Sequence, residues 1–181
     1  MKKVIHKWVW AWDFQEEENW LNEMASDGWV LCDVGFCRYE FESCEKGEYT
    51  VGLQWLEKRL SSRDSIDYIN FVEDTGAEYI GNVKYWVYFR KKTAEGALNL
   101  ISDTESQIKH FSRIANLLKV LTIPCVLSGV YNIILGLINP YAKLNLLVGL
   151  LNLAMAYIIR KGYAKMHTKQ QELEKQHILF E

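Results

Sequence analysis

Three groups of residues near the start of the chain have side chains suited to chemistry. Cys32, Cys37 and Cys44, with His6, offer thiolates and an imidazole, the donors of a zinc site. Their spacing brings no two cysteines from one tight turn, so they are expected as unligated thiols, and no metal or other cofactor is assigned. Glu16, Glu17 and Glu18 line up carboxylates, the raw material of general acid–base catalysis. Consecutive helix residues point in different directions, and no histidine or nucleophile pattern accompanies them. The run therefore reads as the solvated first turn of a helix, where the macrodipole favours negative charge. No catalytic residue follows from it, and an enzyme is not expected. Trp8, Trp10 and Trp12 recur with period two, which places three indoles on one face of a strand. They form either an aromatic cleft for an apolar or cationic ligand, by stacking or cation–π attraction, or a core of large rings.

The elements that must hold these groups form a repeating pattern. Asp13, three residues before Glu16, has capping-box spacing, and Gly28 ends the helix that follows. Trp29 to Val34 and Cys37 to Cys44 then make a hairpin around Gly35. Forty-eight residues on, the same residue types recur: Trp20, Leu21, Asn22, Met24 and Gly28 correspond to Tyr68, Ile69, Asn70, Val72 and Gly76. Cys37, Tyr39 and Phe41 likewise correspond to Tyr85, Val87 and Phe89. The second unit has Val51, Leu53 and Trp55 on a strand face, a helix from about Ser65 to Thr75, and strands at 77–81 and 85–91. The fold class is α+β: a duplicated strand-helix-strand-strand unit forming a sheet covered by two helices over residues 1–92. In this register Trp86, Tyr88 and Arg90 take the face held by Arg38, Glu40 and Glu42 in the first unit. They read as a binding surface of aromatics beside an arginine, or as a face packed against the membrane-proximal helix.

The rest of the chain has a different composition. No charge interrupts Val120 to Ala142, or Leu144 to Ile159. A bilayer core needs about 20 apolar helical residues, so the two runs, with Asn139, Pro140 and Tyr141 as a turn, predict a transmembrane hairpin over 117–163. A linker and juxtamembrane helix precede it at 93–116. There Ser102 and Glu105 have capping-box spacing, and Ile108, Phe111, Ala115 and Leu118 follow at helical intervals. A helical tail at 164–181 ends in Ile178, Leu179 and Phe180, a patch suited to docking on the domain. Lys109, Arg113 and Lys119 precede the first run, and Arg160, Lys161, Lys165 and Lys169 follow the second, with only Lys143 between. The positive-inside rule puts both termini in the cytoplasm of a two-span cell-membrane protein. No signal peptide is read at the start, and the cysteines are expected reduced. Ser128, Asn132, Asn145 and Asn152 are the polar residues of the spans, expected to bond within the hairpin or across a homo-oligomer. Gly129, Gly136 and Gly149 permit the close helix approach this needs. Residues 1–92 carry 17 acidic against 12 basic side chains, a poor complement to phosphates, so no nucleic-acid partner is expected. Membrane lipid is the partner of the basic flanks.

Trp12, Asp13, Phe14 and Glu17, then Trp20 to Met24, Gly28 and Trp29, and later Arg38, Tyr39, Phe41, Gly47, Glu48 and Tyr49, carry a family resemblance. With Phe71, Thr75, Gly76, Tyr79, Gly81, Tyr88, Phe89 and Arg90, the segment from about 3 to 113 resembles the bacterial domain-of-unknown-function family 2812. Paired membrane helices after the domain are common in such proteins, which are often encoded beside a PadR-type transcriptional regulator. The resemblance implies a regulatory or envelope-stress role and brings no established activity. Two functions are expected. One is a membrane-anchored cytoplasmic interaction or sensor module that binds a protein or an apolar ligand. The other is an accessory subunit of a membrane transport or peptide-resistance system.

Overall fold

The computed structural model describes residues 1–98, 100 and 104–180, in two compact units that divide at Leu100. The first unit runs β1 (Lys2–His6), α1 (Phe14–Ser26), β2 (Trp29–Gly35), β3 (Arg38–Ser43), β4 (Tyr49–Trp55), α2 (Arg63–Asp74), β5 (Glu78–Val83) and β6 (Trp86–Lys92). Each repeat builds its own antiparallel three-stranded sheet, ordered β1-β3-β2 and β4-β6-β5, so the α+β unit has two sheets rather than one. The repeats match in detail. Gly28 and Gly76, one past the C-cap of α1 and α2, both have φ +89°, the left-handed conformation that stops a helix cheaply only as glycine. The pairing of β2 with β3 skips Cys32, and that of β5 with β6 skips Ile80, which is a bulge repeated 48 residues apart.

Helix starts differ from the expectation. Asp13 sits at the N-cap of α1, but its side chain makes no capping hydrogen bond. In α2 the cap is Ser62, which accepts from the Ser65 amide, so the helix begins before Ser65. The first strand also stops earlier than Trp12. β1 pairs with β3 from Lys2↔Glu42 to His6↔Arg38, and Lys7 N–H reaches the Cys37 carbonyl at 3.2 Å. Arg38 is the first residue after the β2–β3 turn, so beyond Lys7 no partner strand remains. Trp8 to Trp12 leave the sheet and turn, with Asp13 N–H on the Trp10 carbonyl at 2.8 Å.

Packing breaks the symmetry of the repeats. α1 buries Phe14, Glu17, Leu21 and Ala25 along one stripe, and it also reaches the open edge of β4. The Asn22 side chain donates to the Val51 carbonyl at 2.8 Å and accepts from the Val51 amide at 2.9 Å. Glu18 Oε2 accepts from the Leu53 amide at 2.9 Å. Two α1 side chains thereby satisfy backbone groups that a neighbouring strand would otherwise pair, which closes an edge that would invite aggregation. Asn70, the counterpart of Asn22, is exposed. The core of the second repeat, Leu56, Ile69, Val72, Ala77, Val87 and Phe89, is completed by Leu98 and Leu100. The domain boundary expected at Lys92 therefore lies too early.

The second unit is a helical hairpin. α3 (Thr104–Ile138) and α4 (Leu144–Phe180) are joined by a 3-10 turn, Pro140–Ala142, where Asn139 accepts from the Tyr141 amide at 3.0 Å. At 35 and 37 residues each helix is about 50 Å long at 1.5 Å per residue, longer than a bilayer core. Both are long and apolar enough to cross a membrane, and only 11% of the apolar window of each is buried, unlike the core helix of a soluble protein. The helices meet through backbone: a Cβ on Gly149 would lie 2.8 Å from the Gly129 carbonyl oxygen. α3 runs unbroken from Thr104 into the apolar stretch, burying Phe111, Ile114, Ala115 and Leu118. Ser102, half of the expected capping box, lies outside the described residues, as do the side chains of Ile178, Leu179 and Phe180.

Candidate functional site

The tryptophans freed from β1 form a cluster rather than a strand face. Trp10 and Trp12 stack with centroids 5.0 Å apart and planes 5° from parallel. Trp8 meets Trp10 edge-on at 5.2 Å and Phe36 edge-on at 5.8 Å. Trp10 and Trp12 are half-buried, whereas Trp8 is 58% exposed and Phe36, at the tip of the β2–β3 hairpin, 70%. Each such pair is worth about 0.5–1.5 kcal/mol beyond area burial, enough to hold the rings as a shaped surface. Phe36 was missed in the sequence. Its signal was an apolar side chain in a two-residue turn beside Gly35, where polar turn formers are usual.

A second group is buried. Glu17, expected in a solvated turn, is 7% exposed, and its Oε1 accepts from both the Tyr39 and the Tyr88 hydroxyl at 2.7 Å. Burial pushes the Glu17 carboxyl above its ordinary range, against the opposing pull of the two hydroxyls and the Lys7 charge. Burial, reinforced by the neighbouring carboxylate, also pushes both tyrosines up, so they stay donors. Lys7 lies over the Trp20 ring at 3.9 Å, and Trp20 packs edge-on against Tyr39 at 5.1 Å. The carboxylate thus pins α1 to β3 of its own repeat and to β6 of the other. The sequence did hold a signal: Phe14, Glu17, Leu21 and Ala25 share one helical stripe, which puts Glu17 among apolar neighbours. Glu18 is driven upward by the same burial while its Oε2 holds the β4 edge.

The surface expected from Trp86, Tyr88 and Arg90 is not open. Trp86 is 7% exposed and Tyr88 3%. Trp86 packs on Phe14 of α1 at 4.9 Å and edge-on against Trp55 at 5.3 Å. α1 meets this face of the second sheet through Phe14 and Glu17, so equivalent register did not bring surroundings equivalent to those of Arg38, Glu40 and Glu42 in the first. Those three stay half-buried, with Glu40 paired to Lys2 at 2.8 Å and to Arg38 at 2.5 Å. Arg90 is engaged within the unit through all three guanidinium nitrogens. It binds Glu78 through Nε and Nη2 at 2.8 and 3.1 Å, and Glu42 and the Leu31 carbonyl through Nη1 at 2.6 and 3.2 Å. It therefore ties the second repeat to the first.

In the hairpin, Asn152 donates to Ser128 Oγ at 3.0 Å across the helices. Asn132 bonds back along α3 to the Ser128 carbonyl at 2.8 Å. Asn145 stands in the first turn of α4, away from that pair. The cysteines are all half-buried free thiols, and among the described residues no three His, Cys, Asp or Glu side chains gather as a metal site would require.

A family model described as "Protein of unknown function (DUF2812)" matches residues 13–123, from the cap of α1 through the rest of the first repeat and the whole of the second, and into α3. No curated protein and no solved structure matches the chain. The matched stretch is more than half of the 181 residues and takes in α1, the strands β2 to β6 and both bulges, while β1, Trp8, Trp10 and Trp12 precede it. On that match the chain belongs to the DUF2812 family, here carried on a C-terminal hairpin of two apolar helices.

Proposed function

We propose that the chain is a membrane-anchored interaction module of a bacterial regulatory or envelope-stress system. Its α+β unit lies in the cytoplasm and holds a protein partner against the surface made by Trp8, Trp10, Trp12 and Phe36, while the hairpin fixes the complex at the membrane. The observation that carries this reading is that Trp8 and Phe36 are exposed but held by ring–ring contacts, while Trp86 and Tyr88 are spent in the core. Large, pre-ordered aromatics at a surface lose little entropy on binding and dominate interface energies. The basic residues at the open end of the hairpin support the cytoplasmic placement. The exposed apolar faces of α3 and α4 also suit a second reading, in which they pack on a larger transport or resistance protein.

Affinity capture of the full chain from mildly solubilised membranes of its host, alongside Trp8→Ala/Phe36→Ala, separates the two. The module reading expects a stoichiometric soluble partner that the double variant loses by tenfold or more, about the cost of one interfacial hot spot, with no change in thermal midpoint. A polytopic partner retained by the variant would replace it with the accessory-subunit reading. A soluble partner retained by the variant would remove the aromatic surface from the argument.

A further inference from the structure

The hairpin carries a groove whose lining has the polarity of a lipid. It has a volume of about 350 Å³ and opens between α3 and α4. Lys119, Arg160 and Tyr163 line its polar end, and Ile123, Val126 and Leu127 its walls. The α3 positions 119, 123, 126 and 127 fall on one helical stripe, so the groove runs along the helix for about 12 Å at 1.5 Å per residue. Lys119 directly precedes the first charge-free run, and Arg160 directly follows the second. The Asn152–Ser128 bond and the Gly129–Gly149 contact fix the hairpin register, and following both helices outward from there brings residues 119 and 160 to the same level. The cations thus stand together where the apolar stretches end, and the apolar walls lead from them toward the middle of those stretches. Thr122 also lines the groove, but its hydroxyl donates to the Leu118 carbonyl at 2.9 Å, so it has no proton to offer a ligand.

Charge decides what kind of ligand fits. Between Glu105 and Glu172 the sequence has no acidic residue, while Lys109, Arg113, Lys119, Lys143, Arg160, Lys161, Lys165 and Lys169 are all basic. Lys109 pairs with Glu105 at 2.6 Å and Lys169 with Glu172 at 3.3 Å, at the two limits of that stretch. Among the described residues neither Lys119 nor Arg160 forms an ion pair, and the segment they stand in has no carboxylate of its own to supply one. A free phosphate would use the two cations and leave the apolar walls unoccupied. A neutral acyl chain would do the reverse.

We infer that this groove is a binding site for one anionic glycerophospholipid, its phosphodiester between Lys119 and Arg160 and one acyl chain along Ile123, Val126 and Leu127. Arg160 presents a planar fork to the phosphate oxygens, and Lys119 adds a point charge. Tyr163, stacked on His167 at 5.4 Å, sits at headgroup level, where amphipathic rings concentrate. The inference rests on the membrane reading of the hairpin and gives the lipid partner of that reading a defined site.

The test uses the full chain reconstituted in nanodiscs of mixed phosphatidylglycerol and phosphatidylcholine, then released and read by native mass spectrometry. Wild type should retain one phosphatidylglycerol in preference to phosphatidylcholine. Lys119→Ala/Arg160→Ala should lower that retention about thirtyfold, the scale of two basic contacts with anionic lipid, and Lys119→Arg/Arg160→Lys should keep it. Ile123→Trp, which fills the groove and leaves both cations, should also lose the lipid, whereas Lys143→Ala at the turn should not. Helical content by circular dichroism shows that each variant still folds. Equal retention of the two lipids, unchanged retention in the double alanine variant, or displacement by soluble glycerophosphate would each overturn the site. Carbonate extraction of membranes separates the two levels. Release of the chain into the supernatant overturns the membrane reading and the site together, and an integrated chain with no lipid preference overturns the site alone.

Discussion

Glu17 is the residue whose chemistry departs most from its place in the sequence. Its folded pKa lies above the ordinary 4.5 because burial outweighs the two tyrosine hydroxyls. Between the unfolded and folded values the folded state therefore binds more protons than the unfolded state, so this group's contribution to stability falls as pH rises through that window. Glu17→Gln keeps an acceptor for Tyr39 and Tyr88 and removes the titration. Denaturant midpoints followed by tryptophan emission from pH 4.5 upward should decline in wild type relative to the variant, and parallel curves would show that the carboxyl titrates alike in both states. All seven tryptophans lie in the first unit, so the signal reports on it alone. The same measurement addresses Trp86. Wedged between Phe14 and Trp55, it should cost about 3–5 kcal/mol when cut to alanine, whereas Trp8→Ala, with its ring largely in solvent, should move the midpoint little.

At the level of elements, α1 does more than cover its own sheet. It supplies Asn22 and Glu18 to the edge of β4, Glu17 to a tyrosine on each sheet, and Phe14 to Trp86. One helix thereby helps to join the two repeats, together with Arg90 on Glu42 and the Leu31 carbonyl. α3 and α4 are joined by a different device, the backbone approach at Gly129 and Gly149 and the Asn152–Ser128 hydrogen bond beside it. Gly149→Leu would drive its side chain into the Gly129 carbonyl and Ile133, an overpacking that costs about 1–3 kcal/mol. The check is disulfide formation between Ser128→Cys and Asn152→Cys in a chain whose native cysteines are serine. It should be efficient with Gly149 and several-fold poorer with leucine, and equal yields would mean that the helices do not depend on that contact.

For the whole molecule, the first unit ends where its core ends. Leu98 and Leu100 close over Gly52, where an added Cβ would meet them at 3.0 and 2.9 Å, and the Tyr68 hydroxyl donates to the Leu100 carbonyl at 3.3 Å. A fragment of residues 1–100 should be soluble and unfold cooperatively. One ending at residue 92 should be less stable by on the order of 2–4 kcal/mol, from two leucines no longer buried, and equal midpoints would place the boundary back at Lys92. Much of this molecule was readable from sequence, because the quantities involved are local. Charge-free length, the glycine stops and residue types repeated at a fixed spacing identified the apolar hairpin and the α+β duplication without reference to any distant contact. The end of β1 was not readable, since it depends on where a partner strand begins. Nor was the burial of Trp86 and Tyr88, since a repeat read in one dimension assumes equivalent surroundings. Period and register state which side chains share a face, but they do not state what that face meets. Only the tertiary structure decided that α1 crosses to the second sheet, which made the expected binding face core, and that β3 offers no partner beyond Lys7, which left Trp8 at the surface.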